Sequence, residues 1–245
     1  MSKDTSDVKF RAYPQFNQPE LAKIAHLRHR VNKLCLPYFD RKSGPDRLAR
    51  AFVACRAIDV KELLESSEFY VRTRKRLRSK HMVDLCCGHG LTGLLFATEH
   101  CVETVTLVDR KKPDSFSVIL EVFAELYPYV IPKIRYLEED IDVVGEQLTP
   151  SSSILGLHAC GGFTDRCIDI GLSLNAHSIA LMPCCYQQAT TRAPRVLRDV
   201  LGAEVAKDVH RTYRMEEAGY IVDWTGIPRA ITPKNRILLA TQRLT

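Results

Sequence analysis

The chain has 245 residues, 45% of them hydrophobic and 26% charged, with 35 Lys and Arg against 29 Asp and Glu for a net charge of +6. That length holds one large domain, or a core domain with a small attachment, and buries a full core without disulfide or metal staples; ordinary composition argues against disorder. Apolar stretches such as 118–124 and 178–182 fall far short of the ~18 residues of a membrane span, and the polar start, MSKDTSDVKFR, has no secretory core. A cytoplasmic protein with no membrane partner is expected; its oligomeric state is unknown. The nine cysteines include the adjacent pairs Cys86–Cys87 and Cys184–Cys185, which suit reduced thiols better than a disulfide framework. The mild basicity permits an anionic partner such as nucleic acid.

Residues 1–18 show no clear period and read as a mobile lead-in. From Pro19 the pattern is helical, with Leu21, Ile24, Leu27, Val31 and Leu34 on one face. Ser43-Gly44-Pro45-Asp46 breaks it, and Asp46 is placed to cap a second helix with the stripe Leu48, Phe52 and Cys55. A third helix carries Val60, Leu63, Leu64 and Val71. Residues 1–80 are therefore expected to form a helical region.

From residue 81 short apolar runs alternate with helical stretches. The runs are Met82–Leu85, Thr104–Val108, Lys133–Tyr136, Ser153–Leu157, Ser178–Met182, Gly219–Val222 and Ile237–Ala240. Several are apolar on consecutive residues, as in strands covered on both faces. The expected fold is α/β, a Rossmann-like seven-stranded sheet over 81–245.

The first run leads into Val83-Asp84-Leu85-Cys86-Cys87-Gly88-His89-Gly90-Leu91-Thr92-Gly93. This is a strand, a tight glycine turn and a helix start, the place where open α/β sheets bind nucleotide cofactors. Gly88-x-Gly90-x-x-Gly93, with Asp109 about 20 residues on, matches the dinucleotide fingerprint of dehydrogenases. The string resembles more closely the acidic-x-Gly-x-Gly-x-Gly motif of class I S-adenosylmethionine (SAM) methyltransferases. Asp84 takes the acidic position, where a carboxylate would repel a pyrophosphate but suits an amino acid and a sulfonium; Cys86 replaces the first glycine. The resemblance implies that Asp109, ending the second strand, holds the ribose hydroxyls. It also implies that Asp140-Ile141, after the third strand, meets the adenine. SAM is the expected cofactor, bound by Asp84, Cys86, Gly88, His89, Gly90, Asp109, Arg110, Asp140, Ile141 and His158.

Strand four ends in His158-Ala159-Cys160-Gly161-Gly162-Phe163-Thr164-Asp165, with Thr164 expected to cap the next helix, and strand five in Pro183-Cys184-Cys185-Tyr186. His-x-Cys-Gly-x-x-Thr-Asp followed by Cys-Cys is similar to one methyltransferase-domain family, over roughly 81–240. That family includes the tRNA ribose 2'-O-methyltransferases of the acceptor stem and several methyltransferase-like proteins. The zinc-binding motifs of the tRNA enzymes are not found here. The resemblance implies a methyltransferase whose acceptor is RNA, with a ribose hydroxyl one choice. A protein side chain, a small metabolite, and a SAM-binding scaffold without catalysis stay open. His158 is the candidate base or orienter and Asp165 a substrate orienter. Cys184 or Cys185 could act as a nucleophile, as in RNA 5-methylcytosine enzymes, with Cys160 as the second thiol. The types His158, Cys160, Cys184 and Cys185 suit zinc, but no spaced Cys-x-x-Cys pair supports it and no metal is expected. Tyr186, with Asn235 and Arg236 of the closing loop, is expected to bind substrate. The basic run Arg72–Lys80, Arg76 included, is expected to meet RNA phosphates, and His26–Lys33 is a second basic cluster.

Overall fold

The structure, a computed structural model, describes residues 8–186 and 193–243. All seven expected strands form: β1 (His81–Leu85), β2 (Thr104–Asp109), β3 (Ile134–Glu138), β4 (Ser153–Gly156), β5 (Ser178–Leu181), β6 (Tyr220–Gly226) and β7 (Arg236–Gln242). They lie in the order β3-β2-β1-β4-β5-β7-β6, with β1 to β5 parallel and β7 antiparallel to both its neighbours. The order reverses between β1 and β4, which opens a crevice at the carboxyl ends of those strands. Consecutive apolar residues serve both faces. Met82 joins one hydrophobic cluster, while Val83 and Leu85 join the other.

The helices are α1 (Pro19–Ala22), α2 (Gly44–Cys55), α3 (Val60–Leu77), α4 (Leu91–Ala97), α5 (Asp114–Leu126), α6 (Phe163–Ser173), α7 (Arg195–Leu201) and α8 (Ala203–Glu217). The N-terminal region packs with α4 and α5 on one face of the sheet; α6 and α8 cover the other. Among the described residues, no helix is long and apolar enough to cross a membrane.

Three N-terminal expectations are corrected. The lead-in, from Lys9 on, is fixed rather than mobile. Tyr13 and Phe16 are fully buried against Phe39, and the N–H groups of Arg11 and Ala12 donate to the buried Glu68 carboxylate at 2.7 and 2.8 Å. The stretch 19–34 is not one helix, and Leu34 is 81% exposed. The carbonyls of Leu27 and His29 instead accept from Lys61 and Val60 N–H at 3.1 Å. They satisfy first-turn donors of α3 that its own backbone cannot, and this tertiary gain overrides the weak local helix preference. Ser43, not Asp46, caps α2: its hydroxyl oxygen accepts from Asp46 N–H at 3.2 Å, and Asp46 lies inside the first turn. Likewise Gly162, not Thr164, precedes α6; the Thr164 hydroxyl turns back to the Ala159 carbonyl.

Candidate active site

The loop after β1 turns through left-handed backbone at Cys86 (φ 56°), Gly88 (φ 52°) and Gly90 (φ 73°). Cys86 therefore occupies a conformation that favours glycine. A Cβ on Gly88 would meet nothing within 4 Å, so that side of the loop is open, whereas one on Gly90 would come within 2.9 Å of Leu107 Cδ1. Gly88 thus leaves room for a ligand, and Gly90 lets α4 close onto β2. The loop is held from two strands. Gly88 N–H donates to Asp109 Oδ2 at 2.8 Å, and the Tyr136 hydroxyl donates to the Gly88 carbonyl at 2.8 Å.

Two adjoining cavities flank this loop and share Cys86 and His158. One, of about 230 Å³, is bordered by Asp109, Arg110, Glu139, Ile141, Cys160 and Phe163. The other, of about 110 Å³, is bordered by Asp84, Gly88, His89, Thr92 and, from α3, Glu62 and Ser66. A larger cavity of about 450 Å³ lies along the C-terminal half of α3, beside Tyr70, Arg74 and Glu99. No residue of the glycine loop and none of the residues expected to bind SAM borders it; of the expected RNA-binding run, Arg74 does.

Asp84 is buried beneath the loop and accepts from Gly93 N–H at 2.9 Å. Burial, with a smaller push from the Asp109 charge, raises its pKa to about 8. His89 Nδ1 accepts from Leu91 N–H at 3.2 Å, so in the neutral ring the proton sits on Nε2, 3.7 Å from Glu62 Oε2. Burial holds the His89 pKa below the ordinary imidazole value against the pull of Glu62. His158 Nε2 lies 3.2 Å from Oε2 of the buried Glu65, whose other oxygen takes Lys61 Nζ. Burial pushes the Glu65 carboxyl up, but His158 and Lys61 together hold it below the usual range. It is therefore ionised at neutral pH.

Several expected residues lie elsewhere. The Asp140 carboxylate faces Arg110 at 3.0 Å and borders neither cavity, which Glu139 and Ile141 do. Asp165 is buried against Arg211, at 2.8 Å from Oδ1 to Nε and 3.3 Å from Oδ2 to Nη2. Arg211 also reaches Asp208, which accepts from the Tyr186 hydroxyl at 2.7 Å and from Arg236 Nη2 at 2.8 Å. Tyr186 and Arg236 are thus spent in a charged network joining the loop after β5 to α6, α8 and β7. Asn235 turns inward, its Nδ2 donating to the Ile227 carbonyl at 2.6 Å. None of these four borders either cavity. An orienting role for Asp165 gives way to a structural one. Asp165→Ala should cost about 3–5 kcal/mol in urea unfolding, because it strips a buried guanidinium of a partner. A substrate-orienting Asp165 would instead lose turnover at an unchanged unfolding midpoint.

Cys184 is disulfide-bonded to Cys160, against the expectation of reduced thiols, because the ends of β4 and β5 bring their Cα atoms to 5.8 Å. Paired in this way, neither can serve as a thiol nucleophile; Cys185 is exposed beside them. The Arg72–Lys80 run is also not at the crevice. Glu62 borders the smaller cavity, and Arg76, 14 residues along α3, is about 21 Å further down the helix axis. Its charges are largely matched: Arg72 by Glu68, Arg74 and Arg78 by Glu99, Arg76 by Asp223 and Lys80 by Glu103.

Sequence reasoning missed Glu62, Glu65 and Ser66 on α3, and Glu139 and Phe163 on the sheet side. A signal existed for the first group. Glu65-Ser66-Ser67-Glu68 are four consecutive polar residues, and at 3.6 residues per turn they cannot all face water on a packed helix.

The family pattern described as "Methyltransferase domain" matches residues 57–192, more than half the chain. No curated protein matches. Among solved structures, a Corynebacterium glutamicum protein is 18% identical with a TM-score of 0.50, covering 87% of this chain and 97% of its own. A Clostridium thermocellum protein provisionally named an rRNA methylase is 12% identical with a TM-score of 0.50, covering 70% of this chain and 91% of its own. At such identities the likeness is one of fold. The match at 57–192 takes in the glycine loop and the ends of all five parallel strands, so the chain belongs to this methyltransferase-domain family and is a class I SAM-dependent methyltransferase.

Proposed function

We propose that the chain methylates RNA, with SAM held in the crevice beside the glycine loop and a ribose hydroxyl as acceptor. In this reading 81–245 is the methyltransferase domain and 1–80 a helical cover over its crevice. The residues present fit the cofactor: Gly88 leaves open space on the crevice side, and Asp84 and Asp109 offer carboxylates to a cation and a diol. Glu139 and Ile141, with Arg110 at the rim, suit the adenine side, and His89 borders the amino-acid side. When bound, SAM supplies a methyl group already activated on a sulfonium.

The residue assigned to the acceptor proton is His158. If Nε2–H points to the ionised Glu65, Nδ1 is left as the basic nitrogen. Glu65 acts through His158 and is a positioning residue.

The observation that carries RNA over other acceptors is a basic rim at the crevice mouth. Arg28, His29 and Arg30 gather around Asp59 at the N-terminus of α3, one turn before Glu62. Arg28 is exposed there, and Lys33, five residues further along the same segment, is exposed as well. This segment, not Arg72–Lys80, is where phosphates would be met. Labelled methyl transferred from SAM into an extract of cells lacking the protein should be released by ribonuclease. Label that resists ribonuclease and is freed by protease would replace RNA with a protein acceptor. Arg28→Glu/Lys33→Glu should raise KM for RNA about tenfold and flatten its salt dependence, leaving SAM binding unchanged. An unchanged KM would remove the rim from the reading.

A further inference from the structure

Three sulfurs from two strand ends meet beside the crevice. Cys160 follows β4, and Cys184 and Cys185 follow β5. Their Sγ atoms all lie within 4.8 Å of one another. In extended chain, neighbouring side chains point to opposite sides; here both members of the Cys184–Cys185 pair turn toward Cys160. The two loops are tied together, Gly161 N–H donating to the Cys185 carbonyl at 3.1 Å. The Cys160–Cys184 disulfide uses two of the sulfurs and leaves Cys185 Sγ 3.9 Å from Cys184 Sγ. A disulfide alone gives no reason for the third to converge.

We propose that the reduced chain binds one zinc ion through the thiolates of Cys160, Cys184 and Cys185. Zinc–sulfur bonds of about 2.3 Å in a tetrahedron set the sulfurs about 3.8 Å apart. The observed cluster reaches that spacing with shifts under about 1 Å. An added phosphine reduces the disulfide, taking up the oxygen of a water as its phosphine oxide while the two water protons go to the freed thiols, and ligation then displaces the three thiol protons to solvent. Thiolate sulfur selects zinc over the hard cations magnesium and calcium. Of the three ligands, Cys160 borders the same cavity as His158. The ion would clamp the loops after β4 and β5 and so fix the segment that carries His158. This site goes beyond the RNA reading and does not depend on it.

The test uses the full chain, reduced under anaerobic conditions and titrated with Co²⁺. One equivalent should give thiolate charge-transfer absorption in the near ultraviolet and tetrahedral ligand-field bands in the visible, all removed by one equivalent of Zn²⁺. Cys185→Ser changes an exposed residue and should fold; its charge-transfer intensity should drop by about a third and its affinity at least tenfold. Cys101→Ser, exposed elsewhere, should match the wild type. Absence of these bands in the reduced wild type would overturn the proposal. So would equal binding by the oxidised chain, or by Cys185→Ser. The readout is independent of methyl transfer, so failure of the RNA reading leaves it standing and the reverse also holds.

Discussion

His158→Ala is expected to lower methyl transfer by about 10²–10⁴-fold, the range a positioned acid–base group supplies, while the rise in melting temperature induced by SAM is retained. The side chain borders both cavities and is the only imidazole that does. It is partly exposed, so truncation opens no sealed core. Glu65→Gln keeps the shape behind the ring but removes the charge, and its amide can donate to Nε2 and turn the imidazole into the wrong tautomer. The expected result is a fall in kcat of about tenfold or more at unchanged KM. Glu65→Ala should lose stability as well, because it leaves Lys61 without its buried carboxylate. Full turnover in His158→Ala would reduce this pair to a strut between β4 and α3. Lost turnover together with lost SAM response would make His158 a cofactor-binding group instead.

β1, β4 and β5 were legible because a strand covered on both faces writes itself as an apolar run, whereas β3, at the sheet edge, has no fully buried residue; the glycine turn was legible because it breaks the run of β1 abruptly. Of the closing antiparallel pair, β7 was legible for the same reason: Ile237, Leu238, Leu239 and Ala240 are all buried between neighbours. The N-terminal region was less so. Its order comes from aromatic anchors at Tyr13, Phe16 and Phe39 and from backbone bonds between loop 27–31 and α3, none of which has a period. Charged residues misled most. Asp165 and Tyr186 sit next to the reactive strand ends in sequence and Arg236 in the closing loop, yet Arg211 and Asp208 of α8, more than 20 residues away along the chain from each of them, draw them into the interior. Arg76 looked close to β1 because it precedes it in the chain. The helix it rides begins at the crevice and ends at the far edge of the sheet. The acidic residues that do reach the crevice, Glu62 and Glu65, read as ordinary helix surface until the helix is placed.

Asp84 gives the second large effect, and its sign is the reverse of the usual carboxylate. Its side chain is buried under the glycine loop at the edge of the smaller cavity, and burial lifts its pKa from 3.8 to about 8. Between those values the native state holds a proton that the unfolded state has released. Stability therefore falls as pH rises, with a slope of up to about 1.4 kcal/mol per unit. The contribution is fully present below about pH 4 and gone above about pH 8. The ligand-free wild type should lose melting temperature from pH 5 to 8 and then level off. Asp84→Asn keeps an acceptor for Gly93 N–H and should lack that decline, so the two curves separate most at pH 8.5, with the variant more stable. Subtracting one from the other removes every other titrating group. Binding should run the opposite way. The SAM cation favours the ionised carboxylate, so wild-type affinity should rise with pH up to about 8, by as much as tenfold per unit. Asp84→Asn should bind weakly and without pH dependence. A wild-type affinity flat across this window, alongside the predicted stability decline, would mean that Asp84 braces the loop through Gly93 and does not feel the cofactor's charge.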